Sequence, residues 1–264
     1  MNGEINQLHV LQTEDEVREQ YTGYHVDLTS SLRNSSLPIS HPRVVSSPRA
    51  AASIDWRGYG VVSSIKNQGG CGSCVPFAAA AALESSHALW HNGQILDLSE
   101  QELIDCSRGN GNSGCVGGTF VPTFDYLRNN GLSTEGEYPY EERDNSACRS
   151  GGKSHPARVT GWWPVEPHGD EGALVEAISL YGPIAVAIHA NGDFQAYGGG
   201  IFEAPCQGGR NHAVLAIGYG NENGRDYFIV KNSWGNWGEG GFMRIRRNYG
   251  NMCDIAGDAV LINA

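Results

Sequence analysis

The feature that most constrains this 264-residue chain is its set of seven cysteines. They are Cys71, Cys74, Cys106, Cys115, Cys148, Cys206 and Cys253. An odd number fits three disulfides and one free thiol, which implies folding in an oxidising compartment. Choosing the free cysteine in seven ways and pairing the other six in 15 ways allows 105 arrangements. Composition does not choose among them.

The charge and hydropathy of the chain exclude several classes of protein. Lys and Arg total 18 against 29 Asp and Glu, a formal net charge of −11. No basic block supplies the face that a nucleic-acid binder needs, and no apolar run approaches the roughly 20 residues of a membrane span. The first residues, MNGEINQLHV, lack the pattern of a signal peptide. We therefore expect neither nucleic acid nor membrane as a partner.

Residues 1–50 differ from the rest of the chain. They are polar, contain no cysteine and end in a proline-containing stretch. The segment TEDEVREQY at 13–21 predicts a short helix, with Thr13 as its cap and acidic residues in its first turn. We interpret 1–50 as an appendage joined by a linker, and a disordered tail is the alternative. One glycosylation sequon, at Asn34, is compatible with secretion.

From residue 53 onward the pattern is that of a globular protein. Five alanines at 78–82 predict a helix that begins near Cys74, because Pro76 is tolerated only in a first turn. Ser99 and Glu102 form a capping box for a second helix. Two more helices are predicted over 121–129 and 170–181, and short strands over 184–189, 212–218, 227–231 and 242–246. Helices first and strands second favour an α+β protein with two lobes.

The CGSC motif at 71–74 has several interpretations. A zinc site needs a second ligand pair at similar spacing, and Cys106 and Cys115 are nine residues apart. A thioredoxin-like dithiol belongs to a small βαβ unit that the following pattern does not match. Alternatively, one cysteine is bridged and Cys74 is a nucleophile at a helix N-terminus, where the helix dipole favours the thiolate. An inert buried cysteine also fits this segment taken alone.

Candidate partners for a thiolate lie in the second half of the chain. A thiolate nucleophile needs a proton carrier and a group that holds the carrier's ring. His212 opens an apolar strand directly after a glycine-rich loop, although a structural histidine is the commoner role for such a residue. Asn232 stands beside Trp234 at a strand end, where an amide can hydrogen-bond to an imidazole and be shielded from water.

Jointly these residues resemble the papain-like cysteine proteases, the plant papains and animal cathepsins. The resemblance covers about residues 53–264. The spacing from Cys74 to His212 lies within the roughly 130–150 residues typical of the family, and Asn232 lies slightly beyond it. The matching motifs are DWR at 55–57, NQG at 67–69, CGSC at 71–74, LSEQ at 98–101, DCS at 105–107, CVGG at 115–118, NHA at 211–213 and NSWG at 232–235.

The resemblance implies a role for each matching residue. Cys74 is the nucleophile, His212 is its general base and acid, and Asn232 orients the His212 ring under the cover of Trp234. Gln68 and the backbone N–H of Cys74 stabilise the oxyanion. A resting thiolate–imidazolium pair is implied, because an ordinary thiol is protonated at acidic pH. The implied disulfides are Cys71–Cys115, Cys106–Cys148 and Cys206–Cys253, which leave Cys74 free.

The same resemblance implies an α+β, papain-like fold with an active-site cleft between two lobes. We expect a mainly helical lobe over 51–160 and a mainly β lobe, antiparallel and barrel-like, over 161–264, with chain ends that can cross between the lobes. Residues 1–50 are then a partial pro-peptide and linker. In relatives this segment runs through the cleft in the non-productive direction and is removed at low pH. We predict cleavage between 47 and 53.

Substrate contacts are also implied by the resemblance. The expected substrate-binding residues are Gly117, Gly118, Thr119, Phe120, Ala187, Asn211, Ala213, Trp234 and Asp258, with Arg210 nearby. Four of them, Thr119, Phe120, Ala187 and Ala213, favour an apolar side chain at the second residue before the scissile bond. Asp258 is expected near the floor of this pocket, where it can admit Arg or Lys through a charge-assisted contact. Neutralisation by Arg210, or an orientation toward solvent, are the alternatives.

One position departs from the family. Val75 follows the nucleophile where the family usually has tryptophan, so the space must be filled by neighbours or left open. Local repacking with activity retained is one outcome. A catalytically weak protein with a binding or inhibitory role on the same scaffold is the other, and it is the rival to a cysteine endopeptidase.

The remaining expectations concern partners and location. We expect peptide or protein substrates, the protein's own pro-peptide as an intramolecular inhibitor, cystatin-type inhibitors, a monomer, and a secreted or lysosomal/vacuolar location. No cofactor and no metal is implied. His87 and His91 have metal-ligand spacing on a helix, but two histidines in a last turn also suit the helix dipole.

Overall fold

Three of the described α-helices lie in the first half of the chain, and the first two of these begin where the sequence signals predict. The structure, a computed structural model, describes residues 21–25, 50–108, 112–145 and 147–264. Helix α1 spans Cys74–Trp90 and is buried along nearly its whole length. Its run of alanines permits this burial, because small side chains let neighbouring elements approach closely on every side. The helix predicted over 13–21 lies outside the described residues except for Tyr21, and the sequon at Asn34 lies outside them entirely.

The other helices carry the predicted caps. Helix α2 spans Glu100–Cys106, and the Ser99 hydroxyl accepts a hydrogen bond from the Glu102 N–H at 3.0 Å. Helix α3 spans Phe120–Asn130. Helix α4 spans Glu171–Tyr181 with Asp170 as its N-cap, and the short α5 spans Gly192–Gln195. None of the helices within the described ranges has the length and apolar character needed to span a bilayer.

One sheet holds the second half of the chain together. Its strands are β1 (Ile54–Asp55), β2 (Gly161–Pro164), β3 (Ile184–Ile188), β4 (Ile201–Phe202), β5 (His212–Glu222), β6 (Arg225–Lys231), β7 (Phe242–Arg246) and β8 (Asp258–Asn263). The described strands follow the order β2-β8-β3-β5-β6-β7-β4, and β1 pairs with β5. All pairs are antiparallel except β4 with β7.

The architecture confirms the α+β class and differs from the expected barrel-like lobe in one respect. The sheet is mixed and is not a closed barrel, because the order ends at β2 on one side and at β4 on the other. Strand β1 joins residues from before α1 to the sheet formed by the second half. A boundary between lobes at residue 160 stays a prediction.

Both faces of the central strands are buried. Along β3, Ala185 and Ala187 belong to the core cluster that contains α1, whereas Ile184, Val186 and Ile188 belong to the cluster that contains α4. This is the two-residue alternation of a strand. Small side chains therefore face α1 and large ones face α4. The alanine face of the sheet, together with α1, borders the candidate site.

Candidate active site

Cys74 begins α1 and is the one free cysteine among the residues that the structure describes. It is fully buried. Burial raises the pKa of the Cys74 thiol to about 12, although backbone hydrogen bonds from Ala213, Gly23 and Val75 act in the opposite direction. Ala213 directly follows His212, so the start of β5 lies against the start of α1. The thiol is therefore neutral in this state of the molecule.

His212 is the first residue of β5, and its ring is held on two sides. The Nε2 atom lies 2.8 Å from the Oδ1 atom of Asn232. The Ser233 N–H donates to the same Oδ1 at 2.8 Å, which identifies that atom as the acceptor and places the imidazole proton on Nε2. The Trp234 indole stacks on the His212 ring with the centroids 4.7 Å apart.

The protonation of His212 follows from this arrangement. Among the described residues, Nδ1 has no hydrogen-bond partner and is buried. Because Nε2 carries the proton, Nδ1 is the basic nitrogen and can accept a proton. Burial lowers the pKa of His212 to about 4, and the hydrogen bond to Asn232 opposes this shift. The ring is neutral here, so the resting thiolate–imidazolium pair stays a prediction for an uncovered site.

Gln68 contacts the loop that precedes Cys74, and hydrogen bonds hold its amide in one orientation. Its Oε1 accepts a hydrogen bond from the Ser233 hydroxyl at 2.6 Å. Its Nε2 donates to the carbonyl of Cys71 at 2.9 Å and to the carbonyl of Tyr21 at 3.1 Å. The Trp234 indole N–H also donates to the Tyr21 carbonyl, at 3.3 Å. A carbonyl oxygen thus occupies the Gln68 donor that was predicted to serve an oxyanion.

That carbonyl belongs to residues 21–25, which we call the cleft segment. The N–H groups of Gly23 and Tyr24 both donate to the Asn211 carbonyl, at 3.1 and 3.0 Å. The Gly118 N–H donates to the Gly23 carbonyl at 2.7 Å, and the His25 N–H donates to the Gly118 carbonyl at 3.0 Å. The segment covers Cys74 and pairs with two loops, one that contains Gly118 and one that contains Asn211.

The cleft segment has a defined direction. It begins at Tyr21 between Gln68 and Trp234, and Tyr24 forms a parallel bridge with Gly118. His25 then reaches the carbonyl of Val116 with its Nε2 at 3.1 Å. Gly23 passes Gly72 so closely that a Cβ on Gly23 would lie 1.9 Å from the Gly72 carbonyl oxygen. Only a residue without a side chain fits there.

Tyr24 packs in the buried cluster that contains Phe120, Ala187 and Ala213, and its hydroxyl reaches Asp258. We call these surroundings, with Thr119, the specificity pocket that the resemblance predicts. The Tyr24 and Phe120 ring centroids are 5.5 Å apart. The Tyr24 hydroxyl donates a hydrogen bond to Oδ2 of Asp258. Burial raises the pKa of Asp258, and the hydrogen bond from Tyr24 opposes this. Of the alternatives for Asp258, an orientation toward solvent is excluded.

The chain is similar to known proteins in both sequence and structure. The sequence model described as "Papain family cysteine protease" matches residues 50–262. The chain belongs to the papain family of cysteine proteases. The predicted family is confirmed, and with it the class of cysteine-type endopeptidases.

Individual relatives agree with this result. Digestive cysteine proteinase 3 of Homarus americanus is 46% identical over 213 residues, which are 79% of this chain and 65% of the relative. Cathepsin L of Sarcophaga peregrina is 40% identical over 254 residues, 91% of this chain and 72% of the relative. The structure of digestive procathepsin L 3 from the Tenebrio molitor larval midgut has a TM-score of 0.81 and 41% identity, and the match covers 94% of this chain and 77% of that one.

The disulfides of this papain-family chain join the pairs that the resemblance implied. Cys71 is bonded to Cys115, Cys106 to Cys148, and Cys206 to Cys253. The first of these fixes the loop just before the nucleophile, and the Gly72 N–H donates to the Cys115 carbonyl at 2.9 Å. The Gly72 backbone, which contacts Gly23, is therefore restrained both by the disulfide and by this hydrogen bond.

Val75, the departure from the family pattern, is completely buried in the core cluster that contains α1. Its neighbours therefore enclose it, as the repacking interpretation requires. The two histidines with metal-ligand spacing, His87 and His91, stack with their ring centroids 4.0 Å apart. Among the described residues no group of three or more metal-ligating side chains converges on one point.

Sequence reasoning missed a group of polar residues that we call the buried charge cluster. It consists of Ser63, Lys66, Glu84, Glu100 and Lys231. Lys66 Nζ lies 2.8 Å from a Glu100 oxygen and 3.2 Å from a Glu84 oxygen. Lys231 Nζ donates to the Ser63 hydroxyl at 2.7 Å, and that hydroxyl donates to Glu84. The available signal was a lysine at the end of an apolar strand, directly before Asn232.

The buried charge cluster connects the two sides of the site. Glu84 lies on α1, which begins with Cys74, and Lys231 ends β6, which leads into Asn232. Burial raises the pKa of Glu100 to about 8, with Lys66 opposing the shift, and burial lowers the pKa of Lys231. Three members of the cluster, Lys66, Glu100 and Lys231, line a cavity together with Ala213 and Asn232.

Proposed function

We propose that this papain-family chain is an endopeptidase that hydrolyses peptide bonds by acyl transfer to Cys74. The observation that carries the proposal is the His212–Asn232 hydrogen bond, because it leaves Nδ1 as the basic nitrogen of a ring whose neighbour in the chain, Ala213, contacts Cys74 through its backbone. A thiolate nucleophile with an oriented imidazole is the arrangement required for covalent catalysis by cysteine.

The reaction has two halves. The His212 Nδ1 takes the proton of Cys74, and Sγ attacks the carbonyl carbon of the peptide. Gln68 Nε2 and the Cys74 N–H stabilise the oxyanion that forms, which is worth roughly 10²–10³ in rate per donor. His212 then gives its proton to the leaving amine as the C–N bond breaks. Water, deprotonated by His212, attacks the thioester; the acid leaves and the thiol is restored.

The contacts of the cleft segment support the proposal that the uncleaved chain is a pro-form that cannot catalyse this reaction. Its carbonyl at Tyr21 occupies the Gln68 donor, and its backbone at Gly23 covers Cys74. The bridge between Tyr24 and Gly118 is parallel. A chain that paired antiparallel with Gly118 would therefore run in the opposite direction. We infer that residues 1–50 act as an intramolecular inhibitor and linker, and that cleavage between 47 and 53 releases it at low pH.

The assignments of substrate contacts, partners and location are part of the same proposal. The residues around the cleft segment, Gly117, Gly118, Asn211 and Trp234 among them, would contact the substrate backbone. Three disulfides fit an oxidising compartment, so we propose a secreted or lysosomal/vacuolar location. Protein substrates, cystatin-type inhibitors, a monomeric state and a lobe boundary at residue 160 complete the proposal.

One experiment separates the endopeptidase from a catalytically weak binding protein. The full chain is incubated at acidic pH, and a fluorogenic dipeptide amide is added. We expect loss of the N-terminal residues together with activity that is absent from the Cys74→Ser variant. The binding role is supported instead if the chain is cleaved and binds peptide, but Cys74 reacts with iodoacetamide only at the rate of an ordinary free thiol. Retention of Met1 by the active protein contradicts the pro-form assignment.

A further inference from the structure

The loop over 68–73 connects the two groups that the proposed reaction uses to stabilise the oxyanion. Gln68 supplies its side-chain amide, and the peptide unit between Ser73 and Cys74 supplies the backbone N–H. Three of the six loop residues are glycines, at 69, 70 and 72, and glycine restricts the backbone less than any other residue. The distance between the two donors therefore depends on contacts from outside the loop.

The side chain of Tyr140 contacts both ends of this loop through one oxygen atom. Its hydroxyl donates a hydrogen bond to the Gln68 carbonyl at 2.6 Å, and the same oxygen lies 2.9 Å from the Ser73 hydroxyl oxygen. A phenol has one proton, and a carbonyl can only accept. The Ser73 hydroxyl is therefore the donor to Tyr140. The hydrogen bonds run in one direction, from Ser73 through Tyr140 to Gln68.

Ser73 is available for this contact because of the sequence at the start of α1. A serine at the N-cap ordinarily accepts a hydrogen bond from the N–H two or three residues after it. Pro76 stands three residues after Ser73 and has no N–H, and the Val75 N–H is directed at the Cys74 thiol. The Ser73 hydroxyl accordingly makes no capping hydrogen bond, and it bonds to Tyr140 instead.

Tyr140 is itself held by the two helices beside the loop and by its own segment. The N–H of Glu141 donates to the side-chain oxygen of Gln101 on α2 at 2.8 Å, and the Tyr140 N–H donates to Glu135 at 2.7 Å. The Tyr140 ring packs edge-on against Phe77 of α1, with the ring centroids 5.0 Å apart. Burial raises the pKa of Tyr140, so its hydroxyl keeps the proton that it donates.

We infer that Tyr140 is a positioning residue that sets the spacing between the oxyanion donors of Gln68 and Cys74. The inference deepens the proposed function and rests on it. Without the phenol oxygen, the Gln68 carbonyl and the Ser73 hydroxyl lose their common partner, and the two donors can move apart. Donors aimed at the oxyanion act only once the sulfur has attacked a carbonyl, so the loss should appear in kcat and not in KM.

The first test is Tyr140→Phe in the activated enzyme, because phenylalanine keeps the ring that packs on Phe77. We expect kcat for a dipeptide amide to fall about tenfold, with KM changed by less than about twofold. The matched control is Tyr126→Phe, which removes a buried hydroxyl that donates to Glu102 at 2.9 Å. This control should keep kcat within about twofold of wild type. An equal fall in kcat for both variants overturns the inference.

The second test separates the oxyanion donors from the site as a whole. Iodoacetamide alkylates Cys74 by a displacement in which Sγ forms a bond to a saturated carbon and iodide leaves, so no oxyanion forms. In the activated enzyme, Tyr140→Phe should therefore leave the alkylation rate within about twofold of wild type while peptide hydrolysis falls about tenfold. A parallel fall in both rates means that the hydroxyl supports the whole site, and it overturns the inference.

A third variant, Ser73→Ala, breaks the same line of hydrogen bonds at its other end and serves where Tyr140→Phe does not fold. It should lower kcat by a similar factor, and the double variant should lose little more than either single one. A loss in the double variant equal to the product of the two single losses overturns the inference.

The outcomes also distinguish the inference from the proposed function. Hydrolysis by the activated wild type that is unchanged in Tyr140→Phe overturns the positioning role and leaves the endopeptidase intact. Absence of hydrolysis by the activated wild type overturns the endopeptidase, and the positioning role with it.

Discussion

Gly23 is the residue on which the cover of the active site depends. A Cβ at this position would lie 1.9 Å from the carbonyl oxygen of Gly72 and 2.6 Å from its carbon. Contacts below 3.0 Å must be relieved by movement, and Gly72 is restrained by the Cys71–Cys115 disulfide and by its own hydrogen bond to Cys115. In Gly23→Ala the cleft segment must therefore move instead.

The size of the effect follows from the bonds that this movement breaks. The Gly23 N–H bond to Asn211 and the Gly118 N–H bond to the Gly23 carbonyl both involve the displaced residue. At about 1 kcal/mol for each hydrogen bond, their loss destabilises the covered state by about 2 kcal/mol, which corresponds to a roughly 30-fold larger open fraction. Because Cys74 is fully buried in the covered state and reacts from the open state, the alkylation rate should rise by the same factor as the open fraction.

The assay is the rate at which iodoacetamide modifies Cys74 in the intact chain at neutral pH, followed by mass spectrometry. The matched control is Gly58→Ala, where an added Cβ meets no atom within 4 Å. We expect acceleration of about 30-fold for Gly23→Ala and no change for Gly58→Ala. If Gly23→Ala protects Cys74 as well as wild type does, the segment is not held by close passage over Gly72.

Three further predictions concern the groups around Cys74. In the intact Cys74→Ser chain, an NMR titration should give His212 a pKa near 4. The covered state should then lose stability as the pH falls from about 6.5 toward 4, because the uncovered ring binds a proton first. A His212 pKa at or above about 6.5 contradicts this. In the activated enzyme, Gln68→Ala should lower kcat by roughly 10²–10³ with little change in KM, and an unchanged kcat removes Gln68 from the oxyanion site. Urea unfolding should show that Ser63→Ala loses about 1–3 kcal/mol of stability, because Lys231 and Glu84 lose their shared partner, whereas the exposed Ser64→Ala stays within about 0.5 kcal/mol.

Elements with a strong local signal were predictable from the sequence. The alanine run, Pro76 and the capping box of Ser99 located the starts of α1 and α2, because these signals act within a few residues of the helix end. The apolar runs that became β3, β5, β6 and β7 were also located. Strands β1, β2, β4 and β8 were not. Strands β1 and β4 are only two residues long, and β2 begins with glycine and ends with proline.

The candidate site divides in the same way. The resemblance named Cys74, His212, Asn232 and Gln68. In the structure His212 is hydrogen-bonded to Asn232, Gln68 to Ser233, and Cys74 contacts the backbone of Ala213; the catalytic roles stay predictions. Sequence alone could not place Tyr24 in the specificity pocket, because the pairing of 21–25 with Gly118 and Asn211 is a contact between distant parts of the chain. The buried charge cluster was missed for a related reason. Its charges are compatible with solvent until the fold encloses them.

The position of Lys231 has a consequence for how the two catalytic groups stay together. Separating α1 from β6 would break the link through Ser63 and leave a lysine and a glutamate facing a dry gap. The cost of leaving these two charges unpaired therefore opposes any separation of α1 from β6 that does not admit water. Ser63 thus couples the helix that begins with Cys74 to the strand that leads into Asn232, and replacing this serine would loosen the join between them.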